Sequence, residues 1–108
     1  MTARDRGPAR HERPAIDEAA LAAALQADRL LEAARARSAA RWEEFLAPLP
    51  EQLRDVGIAD LRRIAQRARG AYGPKDSIRE VLSADLTEPF LVDLDRLLKA
   101  LARDAMER

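Results

Sequence analysis

The sequence contains no cysteine, only three valines and only four aromatic side chains of the Phe, Trp and Tyr type. Without cysteine the chain can form no disulfide, no thiolate metal site and no thiol nucleophile. Few β-branched residues, and no segment in which apolar and polar residues alternate, argue against a β-sheet. No apolar run approaches the roughly 20 residues that span a bilayer, and no signal peptide is evident. We therefore expect an all-α, cytoplasmic protein with no membrane segment.

The charged side chains are numerous but balanced. The 108 residues include 19 basic and 19 acidic side chains, and this balance argues against a surface that binds nucleic acid over its whole area. The length suits one domain rather than two. The basic residues are almost all arginine, alanine is abundant and asparagine is absent, a composition that suggests a GC-rich bacterial genome.

The N-terminal part of the chain changes character near Pro14. Residues 1–14 are mostly charged and carry Gly7 and Pro8, so they bury too little apolar surface to offset their ordering entropy. We predict a flexible tail over residues 1–14 and a single helical domain over 15–108. A long helix is expected from about residue 17 to 47, where Pro48 and Pro50 end it.

Four further helical segments follow in the sequence. The pattern predicts a short turn of helix over 50–56 that a left-handed Gly57 ends, and a medium helix over 59–69. Ser77 and Glu80 have the spacing of a capping box and predict another short helix. Thr87 is predicted to cap the last helix, which runs to about Ala105 and has the clearest apolar stripe in the chain. The predicted fold is an irregular bundle of one long N-terminal helix, a medium middle helix, a C-terminal amphipathic helix and two short pieces. We expect its two terminal helices to pack together.

The residues that usually carry chemistry are scarce. His11 is the only histidine and falls in the predicted tail, without a partner for acid–base or nucleophilic work. The glycines at 70 and 73 lack the lysine-serine ending of a phosphate-binding loop, and there is no Glu-x-x-His pair for a di-iron site. We predict no enzymatic activity, no cofactor, no metal and no small-molecule substrate.

Two leucines of the long helix do not fit its buried stripe. Leu21 and Leu25 are one turn apart and lie roughly 100° away from the stripe at the spacing of an α-helix. A long helix with two apolar faces often belongs to an oligomer or binds a partner helix. The alternative is that one of the short helices covers them. Sequence alone weighs these two interpretations equally.

The second unusual surface is basic. Arg62, Arg63, Arg67 and Arg69 lie opposite the apolar stripe of the 59–69 helix. Residues 54–79 hold seven basic and three acidic side chains, whereas residues 80–108 hold four basic and seven acidic ones. This face could be solvated and paired with the acidic segment, could dock an acidic protein, or could bind DNA or RNA. A helix-turn-helix interpretation is weakened by the connector from Gly70 to Asp76, which is longer than the usual turn.

From these observations the leading hypothesis is a small, non-enzymatic interaction protein, such as a regulator, adaptor or accessory subunit. Its predicted contact surfaces are Leu21 and Leu25 for a protein partner or self-association, and the four arginines for an acidic partner. The alternative hypothesis is a nucleic-acid-binding protein that uses the arginines.

Overall fold

The computed structural model describes residues 8–107, and this part of the chain is all-α, as predicted. It contains five α-helices and three 3-10 turns, and no strand is found within it. The α-helices are α1 (Pro14–Ala36), α2 (Ala40–Leu46), α3 (Leu49–Asp55), α4 (Ile58–Arg69) and α5 (Ala84–Glu107); the 3-10 turns are Arg10–Glu12, Gly70–Tyr72 and Ile78–Glu80. No helix between residues 8 and 107 is long and apolar enough to cross a membrane.

The two longest helices, α1 and α5, pack against each other in antiparallel directions, which confirms the predicted pairing of the terminal helices. Polar contacts fix the pair near both of its ends. At one end the Arg13 Nε atom lies 2.6 Å from the Asp104 Oδ1 atom. At the other, the Arg37 guanidinium donates a hydrogen bond of 2.9 Å to the Val81 carbonyl. These two contacts are made by the residues immediately before and after α1, and they join its ends to α5 and to the connector that precedes α5.

The core forms where the apolar stripes of these helices meet. From α1 it receives mainly alanines, which let α5 and α3 approach closely, together with the fully buried Leu30. The larger volume comes from the other helices, and Phe90, Leu94 and Leu97 of α5 are all completely buried. Trp42 of α2 is buried and meets Phe45 edge to face, with ring centroids 5.5 Å apart. The alanine-rich part of the core and its aromatic part are thus contributed by two separate helices, α1 and α2.

The predicted long helix over 17–47 is wrong in one respect, because the chain turns at Arg37–Ala39. Ser38 adopts a positive φ of 55°, the left-handed conformation that ends many helices. The Ala39 amide then donates to the Ala34 carbonyl at 2.9 Å, and the Ser38 amide donates to the Arg35 carbonyl at 3.1 Å. These two bonds define a Schellman motif with serine in the place that glycine usually takes. The motif ends α1 at Ala36, twelve residues before Pro48.

The middle of the chain follows the predicted order with shifted boundaries. The 59–69 helix is confirmed as α4, but Gly57 has an extended backbone (φ −70°, ψ 166°) at its start instead of the predicted left-handed one. The predicted second short helix is a 3-10 turn, which the Ser77 hydroxyl caps by accepting a hydrogen bond from the Arg79 amide at 3.1 Å.

The last helix begins three residues earlier than predicted. The Ser83 carbonyl accepts hydrogen bonds from the Leu86 and Thr87 amides, each at 3.0 Å. Thr87 is therefore not a cap but a completely buried residue inside α5.

The predicted tail is only partly within the structure. Residues 1–7 lie outside the described residues. Arg10 and Arg13 differ from the expectation for residues 1–14, because both contact the helical domain. The Arg10 Nε atom lies 2.7 Å from the Asp17 Oδ1 atom, and its guanidinium also donates to the Val56 carbonyl at 2.9 Å. Ion pairs with α1 and α5, and a hydrogen bond to the Val56 carbonyl at the end of α3, hold this segment against the helical domain.

Candidate protein-contact surface

One stripe of α1 remains uncovered because the neighbouring helices pack on either side of it. On one side, Arg54 of α3 forms an ion pair with Asp28. On the other side, Ala15 and Glu18 line a shallow groove that continues onto α5. Between residues 18 and 29 this stripe carries Glu18, Leu21, the half-buried Ala22, Leu25 and Arg29, which fall within an arc of about 100° at the pitch of an α-helix. Exposed Glu32 lies in the same arc, one turn beyond Arg29. We call this stripe the leucine ridge.

The leucine ridge exposes an unusual amount of apolar side chain. Leu21 is 45% exposed and Leu25 is 57% exposed, and between residues 8 and 107 only Val92 and Met106 are comparable large hydrophobics. Single exposed leucines are common on protein surfaces, but adjacent ones on one helix face form a patch. The sequence-based alternative, in which a short helix covers the two leucines, does not hold in this structure. Leu30, on another face of α1, is by contrast fully buried.

Two charged residues flank the leucines. Glu18 lies one turn before Leu21, Arg29 lies one turn after Leu25, and both are exposed. Neither takes part in an ion pair with another residue of the described range. Sequence reasoning singled out the leucines but missed these two charges. Glu18 lies three residues before Leu21 and Arg29 lies four residues after Leu25, and these spacings place both charges on the same helix face as the leucines.

The four predicted arginines of α4 are all exposed, but they do not form one equivalent set. The Arg69 Nε atom lies 2.5 Å from the Asp95 Oδ1 atom on α5, and this hydrogen bond raises the pKa of the Arg69 guanidinium. Arg63 lies 3.9 Å from Asp60, one turn away on the same helix. Arg62 and Arg67 form no ion pair within residues 8–107. The arginine face therefore offers two unneutralised cations rather than four.

A second group of polar contacts joins the 70–83 connector to α5. The Arg79 guanidinium donates two hydrogen bonds to the Glu88 carboxylate, at 2.8 and 2.9 Å, and lies 5.2 Å from the centre of the Tyr72 ring. The Tyr72 hydroxyl donates to the Thr87 carbonyl at 2.5 Å. The bonds from Arg79 lower the pKa of the Glu88 carboxyl. Burial, followed by the nearby charge of Glu88, raises the pKa of the Tyr72 phenol.

The polar groups in these contacts are paired with one another within the chain, as expected for contacts that stabilise the fold. They connect Glu88, in the acidic start of α5, to Arg79 in the basic stretch before it. The ion pair between Arg69 and Asp95 connects α4 to α5 in the same way. The local segregation of charge seen in the sequence is thus partly neutralised inside the molecule. Among the described residues, no cluster of three or more histidine, aspartate or glutamate side chains is placed to hold a metal ion.

Comparison with known proteins returned no match among protein-family models, curated proteins or solved structures.

Proposed function

We propose that this protein is a small, non-enzymatic helical interaction protein whose main contact surface is the leucine ridge of α1. The observation that carries the proposal is the exposure of Leu21 and Leu25, side by side, at 45% and 57%. Covering a fully exposed leucine is worth roughly 1.5–3 kcal/mol, so two leucines at about half exposure provide a real but modest driving force. A regulator, adaptor or accessory subunit that binds reversibly would use a surface of this strength.

The character of the surrounding surface supports the same proposal. Interface cores are depleted of charge, and their rims are polar. The leucine ridge has this arrangement on a small scale, because Ala22 lies between the leucines and the charged residues stand at the two ends. It also lies on a helix that is held at both ends, because Arg13 contacts Asp104 of α5 and Arg37 contacts Val81 in the connector before α5.

Site-specific photo-crosslinking in the native host tests this proposal. A benzophenone amino acid is placed at position 25, and a matched control carries it at position 102, an exposed alanine of α5. We expect a discrete protein adduct from position 25, little or none from position 102, and loss of the adduct when Leu21→Glu is added. Equal labelling from both positions, or none from position 25, would contradict the proposal.

The second candidate function is nucleic-acid binding, and the observation that favours it is the unneutralised pair Arg62 and Arg67. Each phosphate contact makes binding more sensitive to salt, and loss of one arginine reduces the slope of log affinity against log salt by about one. The double variant Arg62→Ala/Arg67→Ala should therefore lower this slope by about two.

The control for nucleic-acid binding is Arg35→Ala/Arg103→Ala, which removes the same charge from exposed positions on α1 and α5 and should leave the slope nearly unchanged. Fluorescence anisotropy with labelled duplex DNA and single-stranded RNA is a suitable measurement. Absence of binding at low salt removes this candidate.

A further inference from the structure

We propose that the partner of the leucine ridge is a second copy of this chain, bound so that the two α1 helices cross in antiparallel directions. This proposal rests on the proposed function and specifies its partner. In the dimer, Glu18 of each protomer faces Arg29 of its partner, and the leucines and Ala22 form the contact between these two charge pairs.

The order of residues along the leucine ridge is the first reason. From Glu18 to Arg29 the ridge runs acidic, leucine, alanine, leucine, basic, and the exposed acid Glu32 follows one turn later on the same face. A two-fold contact requires that if residue i meets residue j of the partner, then j also meets i. Along the helix, the point midway between Glu18 and Arg29 is also the point midway between Ala22 and Leu25. A single two-fold axis through that point therefore places acid opposite base and Ala22 opposite Leu25 at once.

The charges also select the direction of the two helices. In a parallel arrangement Glu18 would face Glu18 of the partner subunit, and Arg29 would face its own copy, so both ends would repel. In the antiparallel arrangement both ends attract. Like charges brought together across an interface oppose association, whereas complementary ones fix its register. The ridge thus favours one direction and disfavours the other.

The two charges are available for this role. Neither Glu18 nor Arg29 is engaged in an ion pair in the part of the chain that the structure covers. The competing cations for Glu18 are those across the shallow groove on α5, Arg96, Lys99 and Arg103, and none of them forms an ion pair with it. The competing acid for Arg29 is the exposed Glu32, one turn further along α1, and these two side chains form no ion pair among the described residues. In the dimer Arg29 of the partner subunit approaches Glu18 from the opposite, outer side.

The size of the ridge predicts a weak dimer. Glu18 and Arg29 are separated by about 16 Å along the helix at a rise of 1.5 Å per residue, so the contact spans about three turns. A contact of this length falls in the small class of interfaces that is typical of transient association. Ala22 has only a small side chain at the middle of the contact, which allows the two helices to approach closely.

Sedimentation equilibrium of the full chain over a range of concentrations tests the dimer. We expect a reversible monomer–dimer equilibrium that Leu25→Glu abolishes, with an unchanged circular dichroism spectrum. Glu18→Arg and Arg29→Glu should each raise the dimer dissociation constant about tenfold or more, because each turns two attractive contacts into two repulsive ones. The double variant Glu18→Arg/Arg29→Glu should return the constant to near the wild-type value.

The charge variants contain their own controls. An equimolar mixture of Glu18→Arg and Arg29→Glu should associate more tightly than either alone. Arg35→Glu changes the same charge on α1 away from the ridge and should leave association unchanged. A monomer at every concentration, or single reversals without effect, overturns the proposal.

Cysteine cross-linking tests the direction of the helices, since the natural chain has no cysteine. A mixture of Glu18→Cys and Arg29→Cys chains should form a mixed disulfide dimer, whereas Glu18→Cys alone should not. Efficient cross-linking of Glu18→Cys with itself overturns the antiparallel arrangement.

The outcomes separate this proposal from the one on which it rests. If the chain stays monomeric but photo-crosslinking from position 25 yields an adduct with a different protein, the interaction function stands and self-association is wrong. If position 25 yields no adduct and the chain stays monomeric, both are wrong.

Discussion

Replacement of Ser38 by glycine should stabilise the protein. The sign of this effect distinguishes a left-handed turn at Ser38 from a continuous helix that runs through it. In the structure Ser38 has a φ of 55° and is the left-handed residue that ends α1. Left-handed backbone costs an L-amino acid roughly 1–2 kcal/mol. Glycine avoids this cost but loses about 0.5–1 kcal/mol more in backbone entropy on folding.

The balance of these two effects predicts that Ser38→Gly raises the free energy of unfolding by about 0.5–1 kcal/mol, which in a domain of this size is a rise in Tm of about 2–5 °C. Ser38 is exposed, so loss of its hydroxymethyl group should cost little packing. Ser38→Ala keeps the β-carbon, and therefore the left-handed cost, and should remain within about 0.5 kcal/mol of the wild type.

A continuous helix through Ser38 predicts the reverse order. Inside a helix alanine is favoured over serine by about 0.5 kcal/mol, and glycine is disfavoured by a similar amount. Thermal and urea unfolding, followed by far-ultraviolet circular dichroism, measure the three proteins side by side. Stability in the order alanine, serine, glycine would refute the left-handed turn, and the order with glycine first would support it.

Three further predictions concern the polar contacts that hold α5. Asp104→Ala should lower the free energy of unfolding by about 1–3 kcal/mol, because the Arg13 guanidinium loses a buried charged acceptor at 2.6 Å; exposed Glu107→Ala is the control in urea unfolding, and equal effects would contradict this. Tyr72→Phe should cost about 0.5–1.5 kcal/mol through loss of the hydrogen bond to the Thr87 carbonyl, and an unchanged urea midpoint would argue against that bond. In the folded protein the hydrogen bonds from Arg79 hold the pKa of Glu88 below its ordinary value, so the contribution of Glu88 to stability is present above that ordinary value and is lost as pH falls through the folded pKa. A carboxyl NMR titration should show this low midpoint, with Arg79→Gln returning it towards the ordinary range; a midpoint that Arg79→Gln leaves unchanged would rule out the Arg79 pairing as its cause.

The break between α1 and α2 shows why the sequence misled at that point. The residues around Ser38 are good or neutral helix formers, and neither glycine nor proline occurs between Ile16 and Pro48. Local propensity therefore favours one continuous helix. The break instead lets Trp42 and Leu46 on α2 enter the core beside α1. Burial of these side chains is a tertiary gain that residue spacing within a straight helix does not reveal.

The start of α5 was misplaced for a related reason. Thr87 followed by an acid and a proline has the local features of a helix start. In the structure Ser83 occupies that role, and Thr87 is buried where Tyr72 reaches its carbonyl. The contact between Tyr72 and α5 crosses 15 residues, so no pattern within one helix indicates it.

The candidate site was partly predictable. Helical periodicity was enough to place Leu21 and Leu25 outside the buried stripe, and to place four arginines opposite the apolar face of α4. Periodicity could not tell whether another helix covers the leucines, since that depends on where α3 and α5 pack. Nor could it tell that Asp95 neutralises Arg69, because that pair joins two helices.

The absence of cysteine, the scarcity of β-branched residues and the helical spacing of leucine and alanine determined by themselves an all-α bundle with helices α4 and α5 near their observed places. These properties depend on residue type and on spacing along the chain, and not on how the helices pack. The exposed surface was decided only by tertiary structure. Exposure is what remains after every helix has packed, so it depends on the directions of α1, α3 and α5 together. Packing of α1 against α5 and α3, with the contacts of Arg13 and Arg37 at its two ends, leaves Leu21 and Leu25 facing solvent.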